Sequence, residues 1–216
     1  ESFIDPAIAY LTSKGNTLNL NTRVRKITFE NKRATSLDLG NRTIILNEAD
    51  KLLLSVTPAV ASSLLPTLRV PQETRAIVNG HFILDAPFNT TGEDLSFMGL
   101  VGSVSQWLFV RQDIASVTVS AADKLAEQPA EKIANTLWKE VAMALNLGDK
   151  PLPAHRIVKE KRATFAQTPK NVARRPGPVT DWSNLFLAGD WTNTGLPATI
   201  EGAIRSGRIA ANRMRS

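Results

Sequence analysis

The segment from Leu185 to Met214 constrains the chain more than any other. Leu185-Phe186-Leu187-Ala188 is an unbroken apolar run of strand length, Gly189-Asp190-Trp191-Thr192-Asn193-Thr194-Gly195 reads as a loop, and Pro197 opens a helix that reaches about Met214. Arg205, Arg208, Arg213 and Arg215 fall towards the helix's negative end. A buried strand that feeds a helix is an α/β device. At the strand's carboxyl end it gathers unpaired backbone N–H groups and positive helix-end potential, a place for an anionic or acceptor-rich group. Asp190, at that end, can accept hydrogen bonds from ligand hydroxyls. Gly202 and Gly207 lie inside the helix, where each costs about 1 kcal/mol against Ala. Ala198, Gly202, Ser206 and Ala210 form an i, i+4 ridge of small residues, with Ala203, Gly207 and Ala211 as a second ridge beside it. Either a packed sheet or a ligand must approach this helix closely.

The remainder supports a folded α/β chain. Ile4, Ile8 and Leu11 make a helical stripe stopped at Gly15. Leu18, Leu20, Thr22 and Val24 alternate as a half-buried strand, and a shift of apolar phase between Val24 and Ile27 predicts a bulge or bend there. Ile27 and Phe29 pair with Leu37 and Leu39 across a turn near Asn31-Lys32-Arg33, and Ile44, Ile45 and Leu46 suggest a further strand. Lys51–Val56 reads as a parallel strand covered on both faces. The composition changes near Pro66 and Pro71, a crossing between domains. Beyond it, residues 76–84, 107–110 and 116–120 are strand-like. Pro129–Leu147 is a helix with the stripe Ile133, Leu137, Val141, Leu145 and a Gly148 cap. A strand over 155–165 and a Pro/Arg-rich loop to Pro178 follow.

Composition excludes several classes. With 43% hydrophobic and 21% charged residues, the chain of 216 residues is not disordered. It has no cysteine, hence no disulfide scaffold, Cys nucleophile or thiolate metal site. Two histidines, His81 and His155, do not make a His-rich metal centre, and both read as structural. The apolar runs are too short to span a bilayer. The net charge of +6 suits an anionic partner.

The C-terminal segment LFLAGDWTNTGLPATIEGAIRSGRIAA resembles the C-terminal FAD-binding motif of the flavin amine oxidase and phytoene desaturase superfamily: strand, A-G-D, short loop, then a helix with E-G-A-x-x-S-G. Its wording is most similar to that of the hydroxysqualene dehydroxylase family, also called squalene-associated FAD-dependent desaturases. Arg75–Phe82, Gln106–Val110, Ala115–Ala122 and Val158–Phe165 resemble that family too, so the likeness covers nearly the whole chain.

The resemblance implies FAD as cofactor. It places Gly189 and Asp190 at the ribityl–phosphate part, and the backbone N–H groups of Thr199 and Ile200 at the flavin pyrimidine edge. The desaturases usually carry Met where Ile200 stands, a swap that a backbone contact tolerates. Val24, in the expected strand Thr22-Arg23-Val24, would meet adenine through its backbone. The implied catalysis is reductive removal of the hydroxyl of hydroxysqualene to give squalene. No residue is assigned as the catalytic acid; Glu201 reads as a helix-start cap or ion-pair member.

One departure is informative. The superfamily's opening strand and G-x-G-x-x-G turn, which cradle the pyrophosphate, have no counterpart here. The expectation is therefore an α/β chain with an α+β substrate domain, the C-terminal part of a two-domain FAD-binding fold lacking the N-terminal Rossmann βαβ. Residues 1–64 and 180–216 would belong to the FAD domain and 65–179 to the substrate domain. Such a chain, alone, is expected to be colourless. Arg156, Lys159, Lys161, Arg162, Lys170, Arg174 and Arg175 stand against one acid, Glu160. They read as a solvated face or as a rest for anionic lipid headgroups, and sparse aromatics argue against nucleic acid. The expected partner is a long-chain isoprenoid. The expected location is cytoplasmic, with peripheral contact to a bacterial inner membrane. Oligomeric state is not legible. The rival readings are a carotenoid or phytoene desaturase, an amine oxidase, and a non-catalytic lipid-binding piece.

Overall fold

The computed structural model describes residues 4–88 and 97–215. Residues 1–3 and Ser216, which the expected FAD domain included, lie outside the described residues. The chain forms two compact units: one runs to Val70 and resumes at Arg175, the other is Pro71–Arg174.

In the first unit, α1 (Ile4–Ser13) precedes a long extended segment. Every residue of α1 is exposed or half-exposed, with Tyr10 at 63%. Then β1 (Lys26–Glu30), β2 (Arg33–Asp38) and β3 (Thr43–Ile45) make an antiparallel sheet in that order. Asn31 and Lys32, both at positive φ, close the β1–β2 hairpin, the geometry that a two-residue turn demands. Ile27 pairs with Leu37 as expected, but the bulge falls between Thr28 and Phe29. Phe29 therefore faces Ala34 rather than Leu39, which lies past the strand. The expected strand over Leu18–Val24 does not form. The alternation is present, but among the described residues only Arg25, which donates to the Asp38 carbonyl, ties this stretch to a sheet. Leu18 and Leu20 stay open to solvent. Next come β4 (Leu52–Leu54) and α2 (Pro58–Leu64), which Pro58 starts after the Thr57 cap.

The second unit is built on β5 (Thr74–Ile83), β6 (Phe97–Gly99), β7 (Trp107–Arg111), β8 (Ile114–Val119), α3 (Asp123–Ala126), α4 (Ala130–Ala144), β9 (His155–Phe165) and α5 (Pro169–Val172). Its five strands form an antiparallel sheet in the order β6-β7-β8-β5-β9. Strand alternation sends Val78, Phe82, Leu108 and Val117 to one face, where the expected α4 stripe Ile133, Leu137, Val141 and Leu145 buries against them in a single core. Phe82 and Trp138 pack within it as tilted rings, 5.5 Å apart centre to centre. The chain returns to the first unit through β10 (Leu185–Leu187) and α6 (Ile200–Arg215). Strand β10 runs parallel to β4, as the two continuous apolar runs predict. However, Leu53 of β4 is 37% exposed, so only β10 is buried throughout.

Candidate functional site

The site grows from the end of β10. Asn184, buried, fixes the strand's start: its amide donates to the carbonyls of Ala34 (3.0 Å) and Asp50 (3.2 Å) and accepts from the Ala34 N–H (2.9 Å). At the strand's far end Gly189 takes φ +136°, and a Cβ there would lie 2.6 Å from the Trp191 ring nitrogen. Only glycine suits that position. The Trp191 indole is 1% exposed and its N–H donates to the Val56 carbonyl at 2.7 Å. The loop after β10 is thereby pinned to the segment after β4.

The helix is tied to the same turn. The Gly189 N–H donates to Ser206 Oγ (2.7 Å), whose hydroxyl donates to the Ala203 carbonyl (2.6 Å). Gly202, Ser206 and Ala210 are the buried face of α6, so the first small-residue ridge packs inside the protein. A Cβ on Gly202 would lie 2.7 Å from the Pro197 carbonyl, which explains one helical glycine by the chain's own loop. The second ridge is open: nothing lies within 4 Å of a Cβ on Gly207. Helix α6 starts three residues after Pro197. Thr199 caps it, accepting from the Gly202 N–H at 3.1 Å, while the Ala203 N–H donates to its carbonyl. The N–H groups of Ile200 and Glu201 precede the first intrahelical bond and find no acceptor among the described residues. Ile200 is 74% exposed. Glu201 pairs with Arg205 at 3.9 Å.

Between these ends, Arg175 holds the loop. Its guanidinium donates to the carbonyls of Leu196 (2.7 Å), Asp190 (3.0 Å) and Thr192 (2.5 Å) and to Thr194 Oγ1 (3.3 Å). Burial pushes the Arg175 pKa down, against the opposing pull of Asp190. Burial likewise raises the Asp190 carboxyl, against the Trp191 N–H and the Arg175 charge. The arrangement thus offers a half-buried carboxylate and two free helix-start donors on one stretch of twelve residues.

Of the expected site residues, Gly189, Asp190, Thr199 and Ile200 share this connection. Val24 stands elsewhere, half-buried in the extended segment before β1 rather than on a strand. Arg175, Ser206 and Trp191 were not expected at the site. Ser206 carried a signal as the one hydroxyl in the small-residue ridge, whereas Arg175 looked like one cation among seven.

The second unit has a different candidate surface. On the sheet face away from α4, Thr118 Oγ1 donates to Asn79 Oδ1 at 2.8 Å, and His81 Nδ1 lies 2.9 Å from Ser116 Oγ. Trp107 and Phe109 stand on this face at 47% and 44% exposure, while Phe165 is buried.

The sequence profile of the flavin containing amine oxidoreductases matches residues 4–215. A hydroxysqualene dehydroxylase from Sinorhizobium fredii is 44% identical over 97% of the chain and 49% of its own length. A 15-cis-phytoene desaturase from an Oncidium hybrid is 23% identical over 95% of the chain and 39% of its own length. Among solved structures, putrescine oxidase bound to putrescine superposes with a TM-score of 0.67 at 17% identity, over 97% of this chain and 52% of that one. The chain therefore spans about half the length of the relatives it matches. Its fold is that of half of an oxidase chain, and it belongs to the flavin containing amine oxidoreductase family.

Proposed function

We propose that the chain is part of an FAD-dependent oxidoreductase that removes the hydroxyl of hydroxysqualene and leaves squalene. The carrying observation is the 44% identity to a hydroxysqualene dehydroxylase across nearly the whole chain, against 23% to a phytoene desaturase. The donor set of the first unit fits a flavin. The exposed N–H groups at the start of α6 suit the acceptor atoms of a pyrimidine edge. Helix-end potential there favours the anionic reduced ring. Asp190 suits the ribityl hydroxyls, and relief of its burial by such donors would stabilise the complex. Val24 is assigned to the adenine through its backbone. When bound, the flavin supplies hydride; the chain's residues position the substrate, keep water out and supply the proton for the departing hydroxyl.

The second unit is the substrate side of this reading, since its aromatic, half-exposed sheet face suits a long isoprenoid. Among the described residues no helix is long and apolar enough to cross a membrane. The cations of β9, with Lys170 and Arg174, would instead rest on anionic headgroups at the inner membrane, on the cytoplasmic side, while Arg175 is taken up by the loop after β10.

The test uses the complete reading frame that encodes the chain. The purified protein is incubated under reducing and oxidising conditions with hydroxysqualene, with phytoene and with amines. Squalene from hydroxysqualene under reducing conditions is the expected product. Turnover of phytoene alone would replace this reading with that of a carotenoid desaturase. A native lipid retained without flavin would point to a non-catalytic binding role.

A further inference from the structure

The segment that leads into β10 is laid back along it. The Leu187 N–H donates to the Pro178 carbonyl at 2.8 Å, the Asn193 N–H donates to the Pro176 carbonyl at 2.8 Å, and Thr180 Oγ1 donates to the Leu185 carbonyl at 2.7 Å. Residues 176–180 thus run antiparallel to 185–193 as a strap, and Arg175 stands at its start. The loop after β10 turns four oxygens toward the Arg175 guanidinium: the carbonyls of Asp190, Thr192 and Leu196, and Thr194 Oγ1. Thr192 and Thr194 are both buried, so this part of the loop leans on a protein donor rather than on water. A surface arginine ordinarily meets a carboxylate or phosphate; this one gives four hydrogen bonds to a loop of its own chain.

Two of those bonds reach the groups that would meet a flavin. A trans peptide points its C=O and N–H in opposite directions. In the peptide that joins Asp190 to Trp191, the C=O accepts from Arg175 Nη2, and the Trp191 N–H on the other edge donates to the Asp190 carboxyl. The guanidinium therefore fixes the plane that holds the carboxylate. At the other end of the loop the Leu196 C=O accepts from Arg175 Nη1 at 2.7 Å, and Pro197 and the Thr199 cap of α6 come next. One rigid planar group thus spans both ends of the loop, from the Asp190 side to the entry of α6. A lysine ammonium, a single point of charge on a flexible stem, does not reproduce such a bridge.

We propose that Arg175 is a positioning residue for FAD: by bridging the Asp190 and Leu196 carbonyls, it sets the Asp190 carboxylate and the first N–H groups of α6 in their binding arrangement before the cofactor arrives. The inference rests on the flavin reading above and assigns the preorganisation to a residue outside both the Gly189-Asp190 loop and the helix. Arg175 acts through the backbone of residues 190–196 and not through its charge. Its contribution is to order the loop on folding, so that binding does not have to order it again.

The test strips FAD from the complete protein and titrates it back into wild type, Arg175→Lys, Asp190→Asn and the double variant. Arg175→Lys keeps the charge and loses the bridge, so it is expected to weaken FAD binding about tenfold or more. The double variant is expected to lose less than the product of the two single losses, because part of the Arg175 effect runs through the Asp190 carboxylate. A merely structural role would lower the melting temperature of the flavin-free protein and leave the two losses to multiply. If Arg175→Lys does not accumulate, Arg175→Gln carries the same expectations. Wild-type affinity in Arg175→Lys would show that charge alone suffices, and losses that multiply would show that Arg175 does not act through Asp190; either overturns the proposal while leaving the flavin reading intact. Failure of both Arg175 variants to fold without flavin would make Arg175 a residue of the fold and overturn the proposal too. A complete wild-type protein that takes up no FAD would overturn the flavin reading and this inference with it.

Discussion

The two units bury their apolar residues in opposite ways. Pro71–Arg174 closes its own core: one sheet face, one long helix, and Val78, Phe82, Leu108, Val117, Ile133, Leu137 and Val141 each with essentially no accessible surface. The other unit spreads its strands over two small sheets. It leaves Ile4, Tyr10, Leu11, Leu18, Leu20 and Ile45 at more than half exposure. Yet this less finished unit braces the loop after β10 and the start of α6 with polar contacts, at Asn184, Trp191, Arg175 and Ser206. Its order is concentrated around one loop and one helix start. The core of one unit thus rests on periodic apolar stripes, while the candidate site of the other is set by single polar side chains.

That contrast can be broken by mutation. Trp138→Ala removes an indole that packs against Phe82 and donates to the Lys150 carbonyl, and is expected to cost about 3–5 kcal/mol in urea unfolding of the chain. Leu11→Ala in α1 should cost less than about 0.5 kcal/mol in the same experiment. Comparable losses would mean that α1 has a core the comparison denies it. Asn184→Ala strands the Ala34 N–H and takes a donor from the carbonyls of Ala34 and Asp50, an expected loss of about 2–3 kcal/mol by the same measurement. A loss below about 0.5 kcal/mol would remove the claim that polar bracing orders this unit.

A small expected effect has the opposite sign. The raised pKa of Asp190 means that the folded chain holds this proton more readily than the unfolded chain. Its stabilising share is complete below the ordinary aspartate range and is lost as pH rises through the elevated folded value. Asp190→Asn, which cannot ionise, should therefore match wild type in acid. At neutral pH it should be more stable by about 0.5 kcal/mol, a small figure because the group is partly solvated. Thermal unfolding across pH reads this directly; a neutral-pH loss would mean that the Arg175 attraction outweighs burial.

Much of this was legible in advance, for physical reasons. Strands β4 and β10 announce themselves because a parallel strand cannot alternate, and α4 because its stripe keeps helical phase for fifteen residues. The chain from Leu18 to Val24 misled because alternation records what a strand would bury, not whether a neighbour is there to pair with it. Strand β6 was invisible: three residues held by pairing to β7 carry no period. The Gly189-Asp190 loop and the helix after it were readable from the residue pattern, although the helix opens at Ile200 rather than at Pro197. Arg175 was not, since its role depends on backbone carbonyls fifteen to twenty-one residues away.

The central claim is that the free N–H groups at the start of α6 hold the flavin. Ile200→Pro tests it most directly. Proline suits the first helical position, the side chain lost is exposed, and what disappears is the Ile200 N–H. FAD affinity is measured on the complete protein for wild type, Ile200→Ala and Ile200→Pro. The account predicts wild-type affinity for the alanine variant. For the proline variant it predicts a loss of about fivefold to tenfold, the worth of one hydrogen bond, with an unchanged melting temperature in the absence of flavin. Equal affinity for all three would contradict it.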